Sequence, residues 1–581
     1  MAAAGSVAGS PAAELMDALA RRTAHRLIDR AAGLVPRLAF RAASLSHPPR
    51  PLLRGDPDFA AAIYRGRFAL AGHTVEAGSR SIFALLELPA NFAAELHGFS
   101  WLKHLEAADT ELARIQGRAH ISDWITTRCY KSTVARDLSV AARRLISWLL
   151  HGPFLLHNAD PAFARLFLGS LNRQASHLAR ALHLAPTNRG RLDAAIALGY
   201  AAISLGGLEK LRTELLDRLG QELEEQVLPD GGHISRNPAA TVELLLDLLP
   251  LREAVHARKL HAPPPLDAAV ERMLPFLRFL LHGDGGIATF NGVTDHMAGA
   301  VRALIDADDV RGKPITLARH TGYARLAFGR STVLVDVGRP PAVGLNPAMQ
   351  SGPLAFEFSD GPHRIVVNCG TSKTGNAAWA AASRRTAAHS TVCMGDRSAS
   401  LIIDNGLTAR IFGGPVLLGP QTVYGELTAH ETGSVLEAYH NGYLAQFGYL
   451  HERRLFLAKH GADLRGEDRF LAAPDGRVMA PDTPFTVRFH IHPAVKVMTA
   501  RDGTSVSLLL PNRVGWKFSA RGAAMRVENS VYLPGLAAPR RAQQIVLSGR
   551  VGASRTVRWA FKRIDKPATA SHQGSAPELP L

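Results

Sequence analysis

The periodicity of the chain changes once, near residue 320, and this change limits what it can fold into. Before it, apolar residues recur at helical spacing over Leu138 to Leu150, Pro161 to Leu184, Leu192 to Leu205, Leu208 to Val227, Thr241 to Ala257, Leu266 to Leu281 and Met297 to Ala307,. Helices of this length with short connections are antiparallel neighbours. Thr241 to Ala257 is apolar nearly all round, as a deeply buried helix is,. A bundle, a solenoid or a closed ring of helical hairpins all satisfy the pattern, and no clean internal repeat selects among them. After Gly322 the chain turns to short β-type runs, among them Tyr323 to Phe328, Thr332 to Val337, Leu354 to Ser359, Arg364 to Asn368, Phe447 to Leu457, Thr486 to Ile491, Ser505 to Leu510 and Ala523 to Tyr532. Gly, Asp and Pro turns separate them, with Asp360-Gly361, Asp475-Gly476 and Asp502-Gly503 as hairpin signals, so the second half reads as an antiparallel sandwich,.

A chain of 581 residues is too long for one ordinary core at roughly 100–200 residues per domain,. The expected division is a helical domain over 13–312 and a β-sandwich over 313–565, with Ala/Gly/Ser/Pro-rich disordered tails at 1–12 and 566–581,. Glu14 to Ala43 reads as one or two basic-faced helices, and Ile63 to Gly72 as a small hairpin,. Lys+Arg exceed Asp+Glu by 67 to 50, a formal net charge of +17. Such charge favours acidic polysaccharide, nucleic acid or an anionic membrane surface, or else reflects a basic, arginine-rich proteome. No nucleic-acid motif accompanies it, so no nucleic-acid partner is expected. The three cysteines, Cys129, Cys369 and Cys393, suggest neither a disulfide framework nor a thiolate metal site,. No cationic segment followed by an apolar one opens the chain, and no run reaches the ~18 apolar residues of a membrane span. As written, a soluble, unexported protein is expected; a mis-assigned start codon could hide a signal.

Several polar constellations could carry chemistry. Pro229 to Pro238 places His233, Arg236 and Asn237 on a glycine-started loop between two helices. It is either a site at the rim of a helical scaffold or a turn in which Asn237-Pro238 caps the next helix. Asn188 is either an N-cap or an amide aimed into a cleft, with Arg189 beside it able to hold a carboxylate,. His282 to Gly292 is a glycine-rich loop without the Gly-Lys-Ser/Thr of a phosphate loop,. His490 and His492 share one face of a strand and could chelate a metal if a third ligand converged,. His440, Tyr443 and His451 are further polar groups of the strand half. His389 sits where an alanine-rich helix-like segment meets a strand, at the mouth of the strand half.

The motifs Leu354-Ala355-Phe356-Glu357-Phe358, Arg385-Thr386-Ala387-Ala388-His389-Ser390-Thr391-Val392, Gly466-Glu467-Asp468 and Phe489-His490-Ile491-His492-Pro493, following a helical half, resemble the heparinase II/III-like family. Asp230 to Pro238 and Gly283-Asp284-Gly285 resemble its divergent, signal-less bacterial branch. The resemblance implies an incomplete α/α toroid followed by an antiparallel β-sandwich. It implies polysaccharide lyase chemistry: β-elimination on a uronic-acid, heparin- or alginate-like glycan, with the C5 carboxylate neutralised, the C5 proton removed and O4 protonated. Carried over by position, it places Asn188, with Arg189 beside it, at the family's amide and His389 at a metal-ligand histidine; with the loop and strand readings above, Asn188, His233 and His389 are the catalytic candidates, and Arg189, Arg236, Asn237 and Tyr443 the substrate-binding ones. A divalent metal, zinc or calcium, would fall to His389 by the resemblance and to His490 by the strand pair. The expected tyrosine position falls near Ala240, the expected histidine near Gln350, and an aspartate ligand near Gly352. These departures leave an alternative open, a catalytically altered or non-catalytic glycan-binding protein of the same fold acting on cell-envelope polysaccharide. The family habit implies a periplasmic or cell-envelope location.

Overall fold

The computed structural model describes residues 15–16, 19–20 and 40–564, apart from 43, 47, 79, 86, 186, 309–314, 374–375, 474–475, 477 and 502. The expected tails, nearly all of the basic-faced segment Glu14 to Ala43, the boundary at 312/313 and the turn residues Asp475 and Asp502 lie outside the described residues.

The helical half is built from α1 (Glu111–Thr126), α2 (Thr133–Arg136), α3 (Leu138–Leu150), α4 (Pro161–Leu184), α5 (Arg189–Ser204), α6 (Glu209–Gln226), α7 (Pro238–Ala257) and α8 (Pro264–Phe279), with shorter helices around them. Starts follow local chemistry. The side chains of Thr110, Asp137, Asp160, Asn188 and Asn237 accept backbone N–H groups that the first turns leave free,. α5 is buried from Leu192 to Ser204 except Asp193, and its alanines and glycines let neighbours approach closely. A Cβ on Gly199 would lie 3.2 Å from Leu251 and 3.3 Å from Leu219, and one on Gly190 would lie 3.2 Å from Leu138. α7 is buried on most sides, as its composition implies. The expected hairpin spans Arg67–Leu70 and His73–Glu76; Ile63 and Tyr64 instead end a helix that Asp56 caps and Pro57 opens,.

The strands of the sandwich begin at Leu317 and form two large packed sheets. The first runs in the order Gly370–Ser372, Ala524–Gly535, Arg540–Arg550, Pro484–Ile491, His363–Val367, Phe356–Asp360, Ser331–Asp336, Tyr323–Phe328, Leu317–Ala318. The second runs Val423–His430, Gly433–His440, Tyr449–Ala458, Asp463–Ala472, Thr556–Ile564, Gly515–Arg521, Ser505–Leu509, Lys496–Thr499. Pairing is antiparallel except at one edge, where Gly370–Ser372 runs parallel to Leu533–Gly535. Phe356 and Phe358 face the sandwich core, where Phe356 stacks on Trp559 at 5.4 Å and Phe358 meets Trp516 edge-on at 5.0 Å. The opposite face of the first sheet packs on helices: Ala318, Tyr323, Leu334 and Ala355 belong to the helical core. The architecture is an incomplete α/α toroid joined to a β-sandwich.

Candidate functional site

The loop between α6 and α7 is riveted to the sandwich. Asp230 accepts the N–H groups of His320 and Thr321, both at 2.8 Å. Arg236, held at φ 54° and 5% exposed, donates to the carbonyls of Thr321 (2.5 Å), Gly322 (3.0 Å), Gly338 and Arg339 (both 2.9 Å) and pairs with buried Asp336. Its guanidinium is consumed by the junction, which corrects its expected role as a substrate contact.

His233 on the same loop is 2% exposed. Its Nδ1 accepts the Ser235 N–H at 3.1 Å and contacts Ser235 Oγ at 2.8 Å, so Nε2 carries the proton and donates to Gln226 Oε1 at 3.1 Å. Burial, then the nearby Arg189 charge, pushes its pKa down to about 3. Buried, neutral and with both nitrogens engaged, the His233 imidazole offers no free nitrogen to a substrate in this arrangement. Asn188 caps α5 through Arg191 N (3.1 Å), and Asn237 caps α7 through Ala239 N (3.0 Å). Arg189, expected to hold a substrate carboxylate, is held by this protein's own Asp193 (2.6 Å) and Glu243 (3.1 Å).

His389 and His490 lie in a second cluster under the sheet edge. Burial pushes the His389 pKa down to about 4, opposed by the Ser383 carbonyl and Glu357. Its Nε2 is buried without a hydrogen-bond partner, as is Gln350 Oε1, while Gln350 Nε2 donates to Gly370 O (3.2 Å) and Ser383 O (3.1 Å). His490 donates from Nε2 to Ala387 O (3.0 Å) and accepts at Nδ1 from Ser530 Oγ (2.8 Å). His492, beyond the strand end, turns instead to the Tyr532 ring at 5.3 Å. The expected divalent metal does not fit this donor set. His490 has no free nitrogen, and a Cβ on residue 352, where an aspartate would be needed, would fall 2.9 Å from His389 Cγ. Among the described residues no three His, Cys, Asp or Glu side chains gather as a metal site. Tyr443, expected to face substrate, is fully buried and donates to Val392 O at 2.6 Å.

The two clusters are linked only indirectly. Asn346 donates to Ser235 O (3.1 Å) and Asn291 O (3.3 Å), tying the loop before Gln350 to the His233 loop. No direct bond among the described residues joins His389 to His233 or Asn188.

Sequence reasoning missed two buried networks that set this geometry. Glu357 accepts His282 Nε2 (3.0 Å), Thr289 N (3.1 Å) and Asn368 Nδ2 (3.3 Å), bonding the α8-to-sandwich loop to the sheet. Burial raises its carboxyl, but hydrogen bonding from His282 overrides this and holds it below the usual carboxylate range. Inside the sandwich, Gly442 N donates to His440 Nδ1 (3.0 Å), His440 Nε2 to His451 Nδ1 (3.1 Å), and His451 Nε2 to Asp468 (2.8 Å). Arg453 also pairs with Asp468 (2.7 Å) and donates to Leu354 O and Ser390 O (both 2.9 Å), fixing the segment that carries His389. The available signal was strand alternation: Glu357 between two core phenylalanines must point away from them.

A cavity of about 160 Å³ opens between the halves, lined by Asp284, Asp295, Arg364, His492 and Tyr532. Tyr532 donates to Asp295 at 2.6 Å and Arg364 pairs with Asp284 at 2.8 Å. Burial pushes the His492 pKa down to about 4.

Toroid, sandwich and junction together define a heparinase-type scaffold, and residues 310–560 match the profile "Heparinase II/III-like, C-terminal". The chain belongs to the heparinase II/III-like family. Within it, the chain is 32% identical over 531 residues to the FtsZ-localized protein C of Caulobacter vibrioides, covering 89% of this chain and 90% of that one. Its fold is similar to that of heparinase III (TM-score 0.70, 14% identity, 95% of this chain and 90% of that chain). It is also similar to a mutant heparan sulfate lyase from Pedobacter heparinus (TM-score 0.63, 14% identity, 98% and 94%). At that identity the likeness is one of fold. Among the described residues no helix is long and apolar enough to cross a membrane.

Proposed function

We propose that this protein binds an acidic cell-envelope polysaccharide on a lyase scaffold without cleaving it, and that it works where an FtsZ-associated relative works. The observation that carries the reading is the closure of the expected acid–base set. His233 has both nitrogens engaged and Tyr443 donates to a backbone carbonyl, while Ala240 and Gln350 stand where the family's tyrosine and histidine are expected. Elimination needs a base within hydrogen-bond reach of the C5 proton and an acid at O4. The net charge of +17 suits a polyanion,. The location rests on the name of the Caulobacter relative, which places that protein at FtsZ.

A second reading, retained β-elimination, is favoured by His492 and Tyr532 in the cavity between the halves. Asp284 and Asp295 line that cavity against the single Arg364 guanidinium, so a uronate carboxylate would enter against net negative charge,.

The test pairs binding with turnover. The protein is incubated with heparin, heparan sulfate, alginate and polyglucuronate. Absorbance is followed near ~232 nm, where the unsaturated product of elimination absorbs, and saturable binding is measured by calorimetry. The expected result is binding without an absorbance rise. A rise that His492→Ala removes would replace this reading with the lyase, and no binding to any acidic polymer would remove both.

A further inference from the structure

A cavity of about 340 Å³ within the helical half is used by none of the groups above. Its lining comes from α1 to α4 and the α1–α2 connection: Trp124, Tyr130, Arg136, Arg144, Arg173 and His177. The size lies in the range of small-molecule sites, roughly 300–1,000 Å³.

Its floor carries an uncompensated cation. Arg144 is 3% exposed, and its N–H groups go to Gln174 Oε1 (2.9 Å), His97 O and Ala135 O (both 3.1 Å), none of them a charged acceptor. Its guanidinium lies 4.4 Å over the Trp124 ring. Other buried arginines pair with carboxylates: Arg236 with Asp336, Arg364 with Asp284, Arg453 with Asp468. The acids closest to this pocket in sequence are turned elsewhere. Asp123 accepts from Ser81 Oγ, and Asp137 caps α3 through Ser139 N (3.0 Å) and Val140 N (3.2 Å). Burial pushes the Arg144 pKa down to about 9.

The rim repeats the sign. Arg136 and Arg173 are exposed and form no ion pair among the described residues, and no carboxylate lines the cavity. His177 Nε2 is buried without a partner. Tyr130 is 41% exposed, leaving ring surface free at the mouth. A buried charge without a counter-ion is costly, and an oxyanion entering here would relieve that cost while rim guanidiniums bind its remaining oxygens. An aromatic ring at the mouth gives an apolar face on which the CH groups of a sugar ring can pack.

We propose that this pocket is a binding site for an acidic sugar residue, its carboxylate meeting Arg144, Arg136 and Arg173 and its ring lying against Tyr130. The proposal rests on the glycan-binding reading and names where one sugar of that glycan docks.

The experiment uses the full chain, with calorimetric titration of a glucuronate oligosaccharide, glucose and sodium sulfate into wild type, Arg136→Gln/Arg173→Gln and Tyr130→Ala. All three substituted positions are exposed, so unchanged melting temperatures are expected. Arg144→Met is added as a floor variant. Wild type should bind the glucuronate oligosaccharide and not glucose. The double rim variant should weaken binding about tenfold or more, the scale of lost charge-assisted hydrogen bonds, and Tyr130→Ala should weaken it about three- to tenfold. If wild type binds and the rim variants bind equally well, the pocket assignment fails and the glycan reading stands. If wild type binds no acidic saccharide, both fail. If sulfate displaces the oligosaccharide fully and Tyr130→Ala has no effect, the site is a plain oxyanion site and the sugar assignment is overturned.

Discussion

Arg236→Met should destabilise the protein by about 3–5 kcal/mol, the scale for stripping one partner from a buried ion pair. Methionine keeps the stem and removes only the charged fork. It leaves Asp336, whose side chain is 4% exposed, with Asn291 Nδ2 and Gly338 N, both at 3.2 Å, as its remaining partners. Four backbone carbonyls on the sandwich side of the junction lose the Arg236 donor at the same time, and of these Gly322 O keeps the Val337 N–H at 3.0 Å. The left-handed φ of 54° is common to arginine and methionine, so backbone strain cancels in the comparison,. At roughly 2.1 cal/mol/K of unfolding entropy per residue, 581 residues correspond to about 1.2 kcal/mol/K, so the melting temperature should fall by about 2.5–4 °C. Scanning calorimetry of Arg236→Met, Asp336→Asn and the double variant reads this directly. The double variant should be more stable than the sum of the singles predicts by about 2 kcal/mol, since it leaves no unpaired buried charge. A shift under 1 °C, or strict additivity, would refute the assignment of Arg236 as the rivet between the halves.

Asn188→Ala should cost about 1 kcal/mol in a urea melt through loss of the α5 cap, with glycan affinity unchanged; a loss of affinity without loss of stability would return Asn188 to the binding surface. Gly352→Asp should destabilise by about 1–3 kcal/mol, because its Cβ would meet the His389 ring,. Added zinc or calcium should not recover that loss, and metal-dependent recovery would contradict the misfit argued above. Acid should weaken the fold through its buried histidines. His233 and His389 have pKa values of about 3 and about 4 against an ordinary 6.5. Their contribution is therefore fully present above pH 6.5 and is lost as pH falls from 6.5 toward the folded values, by up to about 1.4 kcal/mol per pH unit for each. His389→Asn should flatten the pH dependence of stability between pH 6 and 4.5 by nearly one proton, and an unchanged slope would place His389 outside the acid response.

What was legible in the sequence was local or periodic. The toroid helices, the sandwich strands and the capping asparagines Asn188 and Asn237 depend on residues within a turn or two of themselves. The hairpin start was misplaced because Asp56 and Pro57, outside the alternating run, nucleate a helix that runs into it. The site was illegible for the opposite reason. Whether His233 is a base depends on Gln226 and Ser235 closing over it. Arg236 acts on carbonyls roughly a hundred positions away, brought close only by the junction. Arg453 and Asp468 meet because two strands pair in one register, and no spacing rule announces that pairing.

This bears on how the net charge should be read. A surplus of cations suggests a polyanion partner only to the extent that the cations are free. Arg236, Arg364 and Arg453 are buried in pairs that join the halves or brace the sandwich, while Arg189 and Arg191 are spent on carboxylates around α5. Each such pair cancels within the net charge of +17 and offers a ligand little. Arg136, Arg144 and Arg173 differ: they share one cavity, and no carboxylate lines it. These three arginines lie away from the helix-capping and histidine loops that the family resemblance singles out. Ionic strength gives the discriminating observable. Affinity held by exposed rim arginines should fall steeply as the Debye length shortens from about 10 Å at 0.1 M salt to about 3 Å at 1 M. In Arg136→Gln/Arg173→Gln that salt dependence should largely disappear, whereas a polyanion bound diffusely over the whole basic surface would leave it nearly intact.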